Sequence, residues 1–181
     1  MTPTQVQQRL GSKALAVARG ELGERETAPN VCKYSRWYGM AGQPWCAMFV
    51  TWCYVQAGDQ LSFKRGQRWS YVFDVSAAAS RGRHGLAPGS DPRPGDVVVF
   101  GRPGFPEGHI GLFETWVDRT GGTFRTIEGN TGDRVARRMR LMRDVVAFVQ
   151  TRRPPGRRAA QAAFETFEDV AVSPSDPELR S

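Results

Sequence analysis

Gly42-Gln43-Pro44-Trp45-Cys46-Ala47-Met48-Phe49-Val50-Thr51-Trp52-Cys53 is the stretch whose reading decides the fold. Pro44 closes a tight turn, and a helix follows with Cys46 among its first residues. From about Trp45 to Ala57 that helix is apolar nearly all round (Ala47, Met48, Phe49, Val50, Trp52, Cys53, Val55), the pattern of a helix at the centre of a domain. A cysteine in a helix's first turn faces unpaired backbone N–H groups and the positive end of the macrodipole. Both favour the thiolate, which is the nucleophilic form. Of the three cysteines, Cys46 alone sits at a turn–helix junction. Cys53 is seven residues further on, roughly 10 Å of helical rise and too far for a disulfide. It reads as a buried apolar residue, and Cys32 as the same or as a weak redox liability. An odd count without Cys-x-x-Cys spacing suggests neither a disulfide framework nor a zinc site.

Helical patterns surround this stretch and precede it. Ser12 caps a helix through Leu22, with Thr4 to Leu10 as a looser first turn, and Asn30 caps a short one ended by Gly39. Ser70 to Ser80 reads as another helix. The period then changes. Asp91-Pro92-Arg93-Pro94-Gly95-Asp96 is a turn, and strands are expected at Val97–Phe100, His109–Trp116, Phe124–Glu128, Val135–Leu141 and Val145–Gln150. Helices first and strands after is the α+β arrangement, with N-terminal helices packed on a C-terminal antiparallel β-sheet. Residues 1–152 read as one catalytic domain and 153–181 as a charged tail. From Arg134 to Arg158 there are nine Arg and one acid, whereas Glu165 to Glu178 holds five acids and no base. Between them, Ala159 to Val172 reads as an amphipathic helix with Phe164, Phe167 and Ala171 on one stripe, which docks on the domain or meets a partner.

The chemistry is built outward from Cys46. Amide hydrolysis needs a nucleophile, a base and donors for the oxyanion. Of two histidines, His84 lies in a loop rich in Gly, Pro and Arg and reads as a solvated residue. His109 opens a strand between Gly108 and Gly111, which let other groups approach the imidazole. Glu128 ends the next strand, where its carboxylate can reach the far ring nitrogen of His109 and stabilise imidazolium. Asn130 can share that role. Alone, Glu128-Gly129-Asn130-Thr131-Gly132 would pass for a polar turn.

The formal charge is +7, from 22 Arg and three Lys against 18 acids. That excess suits an anionic partner. The Arg-rich stretch lacks interleaved aromatics, which argues against nucleic acid. No apolar run nears the ~20 residues needed to span a bilayer, so no membrane insertion is expected. Met1 to Leu10 lacks an apolar h-region, so no signal peptide is expected either.

These residues resemble the CHAP family, the cysteine- and histidine-dependent amidohydrolases/peptidases related to NlpC/P60 and papain-like enzymes. The resemblance runs over Ala14 to Thr151, on Glu21-Leu22-Gly23, Lys33-Tyr34, Trp37-Tyr38-Gly39, Pro44-Trp45-Cys46-Ala47, Phe49-Val50, Trp52-Cys53, Pro94-Gly95-Asp96, Gly108-His109-Ile110-Gly111 and Ile127-Glu128-Gly129-Asn130. It looks closest to endolysins and prophage lysins of Gram-positive, especially actinobacterial, hosts. It implies a papain-like fold, with Cys46 as nucleophile, His109 as general base, and Glu128 and Asn130 orienting it. The implied substrate is peptidoglycan, cut as an N-acetylmuramoyl-L-alanine amidase or a peptide endopeptidase. Groove loops such as Leu61 to Trp69 and Arg102 to Glu107 would choose the bond. A lysin of this kind is made in the host cytoplasm and reaches the wall after holin-type release. Some relatives bind calcium through acids upstream of the cysteine. Val31 to Gln56 has none, so no metal or other cofactor is expected. Many have Gln before the nucleophile, where this chain has Trp45, and Gln43 is the alternative oxyanion donor beside the Cys46 N–H. The tail is too short for a separate wall-binding domain (domains start near ~50 residues), and a phage or prophage partner is one use for it. The rival readings are a protease or isopeptidase acting on proteins, and a non-catalytic wall-binding or virion module.

Overall fold

The computed structural model describes residues 3–59, 61–65, 69–102 and 105–151. The tail, with its amphipathic segment, lies outside the described residues, as do parts of both groove loops. Four helices come first: α1 (Pro3–Gly20), α2 (Lys33–Tyr38), α3 (Cys46–Gln56) and α4 (Val72–Ser80). Six strands follow: β1 (Leu86–Gly89), β2 (Val97–Arg102), β3 (Phe105–Asp118), β4 (Thr123–Glu128), β5 (Ala136–Leu141) and β6 (Val145–Thr151). They form one sheet in the order β1-β6-β2-β3-β4-β5, and every neighbouring pair is antiparallel. The architecture is α+β, helices before sheet.

Three differences from the sequence reading have physical reasons. The short helix is N-capped by Cys32 and not by Asn30, because the Cys32 N–H finds the Ser35 hydroxyl at 3.0 Å, so Cys46 is not alone among the cysteines at a helix start. The looser first turn is part of one continuous α1 that begins at Pro3, where a missing N–H costs nothing. Leu86-Ala87-Pro88-Gly89 reads as loop, because Pro and Gly are poor strand formers. It is an edge strand, registered from Leu86 against Thr151 to Gly89 against Phe148. Pairing with β6 outweighs local propensity, and an edge tolerates proline.

Strand alternation sorts the apolar residues into two clusters. Val97, Val99, Ile110, Leu112, Ile127 and Val149 join Ala14, Leu15 and Ala18 of α1 and most of α3 in the main core. Val98, Phe100, Phe113, Phe124 and Phe148 form an aromatic cluster of their own. α3 is buried almost to its end, as its all-round apolar character predicts; Cys53 is fully buried and, like Cys32 and Cys46, is a free thiol. α2 stops at Gly39, which takes the left-handed conformation (φ 92).

The far end of α3 is tied to the sheet by one buried bond. The Tyr54 hydroxyl donates to Gly95 O at 2.7 Å, in the turn that starts β2, and accepts from the Thr151 hydroxyl. Burial, then the nearby Asp96 and Asp59 carboxylates, hold Tyr54 far above the usual phenol range, so it remains a donor. Tyr54→Phe leaves that carbonyl unpaired, and we expect a loss of about 1–3 kcal/mol in urea denaturation with the slope unchanged.

Candidate active site

Cys46 is the first residue of α3, and Trp45 is its N-cap. The cysteine is buried at 7% exposure, less deeply than Cys32 at 1% and Cys53 at 0%. The turn before it is held by Gly42 N–H donating to Asn30 O at 3.0 Å. Trp45 is fully buried, its indole N–H bonded to Glu26 Oε2 at 3.0 Å and its ring stacked on Tyr34 at 5.3 Å. Tyr34 in turn donates to Glu21 Oε2 at 2.6 Å, and Lys33 pairs with the same carboxylate. The Glu21, Lys33-Tyr34 and Trp45 motifs are therefore linked into one support beside the cysteine, buried at Tyr34 and Trp45 and open to solvent at Lys33.

His109 lies on β3, registered opposite Phe100 of β2, and their rings stack at 6.2 Å. Its Nε2 meets Glu128 Oε2 at 2.8 Å, and Cys46 lies near enough to the ring to help hold its pKa up. With Nε2 committed to Glu128, Nδ1 is the ring nitrogen left for the sulfur. Gly111 makes the carboxylate contact possible. A Cβ at that position would stand 2.6 Å from Glu128 Cγ and 3.1 Å from Ile127 O. The Glu128 side chain crosses β3 through the space a larger residue would fill.

Glu128 has no solvent exposure. Besides His109 it accepts from the Thr126 hydroxyl at 2.5 Å and from Arg140, Nε at 2.7 Å and Nη2 at 2.5 Å. The Arg140 guanidinium also lies 4.9 Å from the centre of the Phe100 ring. Burial disfavours charge on both members of the pair. For Glu128 the bonds from Arg140 and His109 outweigh it and lower the carboxyl to about 2. For His109 the interactions with Cys46 and Glu128 outweigh it and raise the imidazole to about 9. The arrangement favours imidazolium beside carboxylate at neutral pH.

Asn130 sits two residues past β4 in the left-handed region (φ 55). Its Nδ2 donates to Asn30 Oδ1 at 3.2 Å, while the bond to His109 is made by Glu128. Asn130 therefore ties the loop after β4 to the same residue that holds the turn before Cys46. Gly129 lets these elements close. A Cβ there would stand 2.5 Å from Phe49 Cβ and 2.8 Å from the Trp45 ring. Gln43 is exposed in the turn before the helix. His84, in the 3₁₀ turn Arg83–Gly85, is exposed and lies 5.7 Å from the Trp69 ring. Among the described residues, no group of three or more His, Cys, Asp and Glu is placed to hold a metal ion, and no helix is long and apolar enough to cross a membrane.

Arg140 and Thr126 are not among the residues singled out from the sequence. The signal for Arg140 is weak. Arg138 and Arg140 share one face of β5 by period two, yet an alternating Arg pattern on an edge strand reads first as a solvated face.

The His109 value above its ordinary 6.5 means that its contribution to stability is full below that pH and lost as pH rises through about 9. The Glu128 value below its ordinary 4.5 means that its contribution is full above that pH and lost as pH falls through about 2. We expect the His109 ring signals to titrate near pH 9 in an NMR titration. In Glu128→Gln they should titrate well below that, and the decline in stability between pH 6.5 and 9 should flatten.

A family model described as the CHAP domain matches residues 37–130, just over half of the chain and a span that contains Cys46, His109, Glu128 and Asn130. No curated protein sequence matches significantly. Among solved structures, the chain is similar to Ly7917 at 20% identity, covering 78% of this chain and 62% of that one, with a TM-score of 0.47. It is similar to the peptidoglycan hydrolase RipB from Mycobacterium tuberculosis at 14% identity, covering 82% of this chain and 67% of that one, with a TM-score of 0.49. A mutated form of the resuscitation promoting factor interacting protein RipA matches at 15% identity over 84% of this chain and 66% of that one, with a TM-score of 0.45. The chain spans less than two thirds of the Ly7917 chain.

Proposed function

This chain belongs to the CHAP domain family, and from that premise we propose that it hydrolyses amide bonds of peptidoglycan, with Cys46 as nucleophile, His109 as general base and acid, and Glu128 as the group that orients the imidazole and keeps it protonated. The observation that carries the reading is the line from the head of α3 to a buried carboxylate: Cys46 near the His109 ring, and His109 Nε2 at 2.8 Å from Glu128. An ordinary packed histidine has no need of a charged partner sealed from water.

In the proposed reaction the Cys46 sulfur, whose proton already sits on His109 in the resting enzyme, attacks the amide carbonyl. The oxyanion forms beside the N-terminus of α3, where the Cys46 N–H and the helix dipole stabilise it. His109 returns the proton to the leaving amine as the C–N bond breaks, leaving a thioester. Water, deprotonated by His109, then cleaves the thioester, and the sulfur leaves as an anion beside the protonated His109, which is the resting state again. Glu128 stabilises imidazolium at each proton transfer. Asn130 acts through Asn30 as a positioning residue for the turn before the nucleophile.

Within this reading the enzyme is a phage or prophage lysin, an amidase or an endopeptidase, made in the host cytoplasm and delivered to the wall by holin-type release. The excess of arginine suits the anionic wall, and Arg25, Arg36, Arg125 and Arg143 stand exposed.

Digestion of purified walls tests the proposal. Cys46→Ala should keep the circular dichroism spectrum and lose at least about 10³-fold in rate. The wild-type rate should fall as pH rises through about 9, when His109 loses the proton that the leaving amine requires. Mass spectrometry of the fragments separates the two activities: a freed lactyl carboxylate on muramic acid identifies an amidase, and a new N-terminus within the stem or bridge an endopeptidase. A folded Cys46→Ala protein that still releases fragments would refute the assignment.

A further inference from the structure

Away from the nucleophile, α4 and the turn after it enclose a pocket of about 340 Å³ lined by Trp69, Phe73, Ala77, Arg81, Arg83 and His84. Its position follows from a chain of aromatic contacts. Trp69 meets Phe63 edge-on at 6.5 Å, and Phe63 stacks on Tyr54 at 4.4 Å. Tyr54 is eight residues along α3 from Cys46, about 12 Å of rise, so this is a second site and not an arm of the first.

The pocket's rim is apolar and basic. Phe73 is 60% exposed and its neighbour Tyr71 59%, two large rings left in water beside a concavity, the usual mark of a binding surface. Arg81 and Arg83 are both exposed; Arg81 Nη1 donates to Ala77 O, and among the described residues Asp74 is the one acid lining the pocket.

We propose that the occupant of this pocket is the chain's own segment 159–172. The end of the sheet points to it. Thr151, the last residue of β6, is registered against Leu86, and Leu86 directly follows the Arg83–Gly85 turn whose first two residues line the pocket. The chain therefore leaves the sheet within a few residues of the site. The thirteen residues from Thr151 to Phe164 can span up to about 45 Å, and Pro154-Pro155-Gly156 offers a reversal on the way.

Composition supplies the complementarity. Phe164, Phe167 and Ala171 fall on one helical stripe, and Glu168 lies on the same face one turn after Phe164. With that stripe laid on Phe73 and Ala77, Glu168 would fall toward Arg81 and Arg83. The acidic half of the tail thus meets a basic rim of the domain. Phe73 then has a partner in the full chain.

Amide hydrogen exchange on the full-length protein tests this. We expect amides of 160–172 to exchange at least tenfold more slowly than unstructured-chain rates, and both Phe73→Ser and Phe167→Ser to release them. Phe73 is exposed, so its substitution leaves the core intact, which exchange in β2 and β3 verifies. Unstructured-chain rates across 160–172 in the wild type would overturn the proposal. So would protection unmoved by Phe73→Ser. Protection that rises with protein concentration would identify the occupant as a second copy of the chain, and would overturn it too.

Discussion

Keeping a carboxylate ionised where water cannot reach it is the most demanding task in this molecule. An unpaired buried charge costs several kcal/mol and is ordinarily removed by protonation. Glu128 avoids this by having a donor at every side: Thr126 from its own strand, Arg140 from β5 with two bonds, and His109 from β3. Three adjacent strands must hold their register for that to happen. Arg140 is registered against Phe124, not against Glu128, and reaches back along the sheet past the Phe100 ring. The aromatic cluster on that face is thus part of the site, since it gives the guanidinium its path. Gly111 does the same for the carboxylate by leaving the surface of β3 bare.

The second demand is that the head of a helix meet this network from another layer. α3 belongs to the main core, whereas strand alternation places His109 with Phe100 and Gly111 on the face of the aromatic cluster. They meet where β4 ends. Gly129 allows the first turn of α3 to lie against that end, and Asn30 joins the turn before Cys46 to the loop carrying Asn130. Trp45, pinned by Glu26 and Tyr34, fixes the rotation of the helix head. The conspicuous motifs of the chain are therefore unequal in kind. A few carry the proposed chemistry, and the rest hold the backbone that aims it.

Much of this is legible in the residues alone. α3 is readable because an all-round apolar stretch with a cysteine at a Pro-preceded start fits a central helix and little else. The change of period after Asp91 marks the sheet, and the glycines around His109 mark a crowded place. Less visible are features decided by tertiary contacts. Leu86–Gly89 is a strand because β6 lies beside it, not because of its own propensities. Arg140 looks like surface charge because the carboxylate it serves is twelve residues away. Asn130 reads as a partner for His109 from its closeness to Glu128 in sequence, and its Nδ2 donates to Asn30, one hundred residues upstream. Sequence spacing finds groups on one element; it does not say which of two nearby side chains an imidazole will meet.

The central claim is that Cys46, His109 and Glu128 work as one unit that makes a single sulfur nucleophilic. The rate of thiol alkylation by iodoacetamide, followed residue by residue by mass spectrometry in the folded protein near pH 7, measures this directly without assuming any substrate. The account predicts that Cys46 is alkylated much faster than the more deeply buried Cys32 and Cys53, and that His109→Ala removes most of the difference. Equal rates at the three cysteines, or a Cys46 rate untouched by His109→Ala, would contradict it.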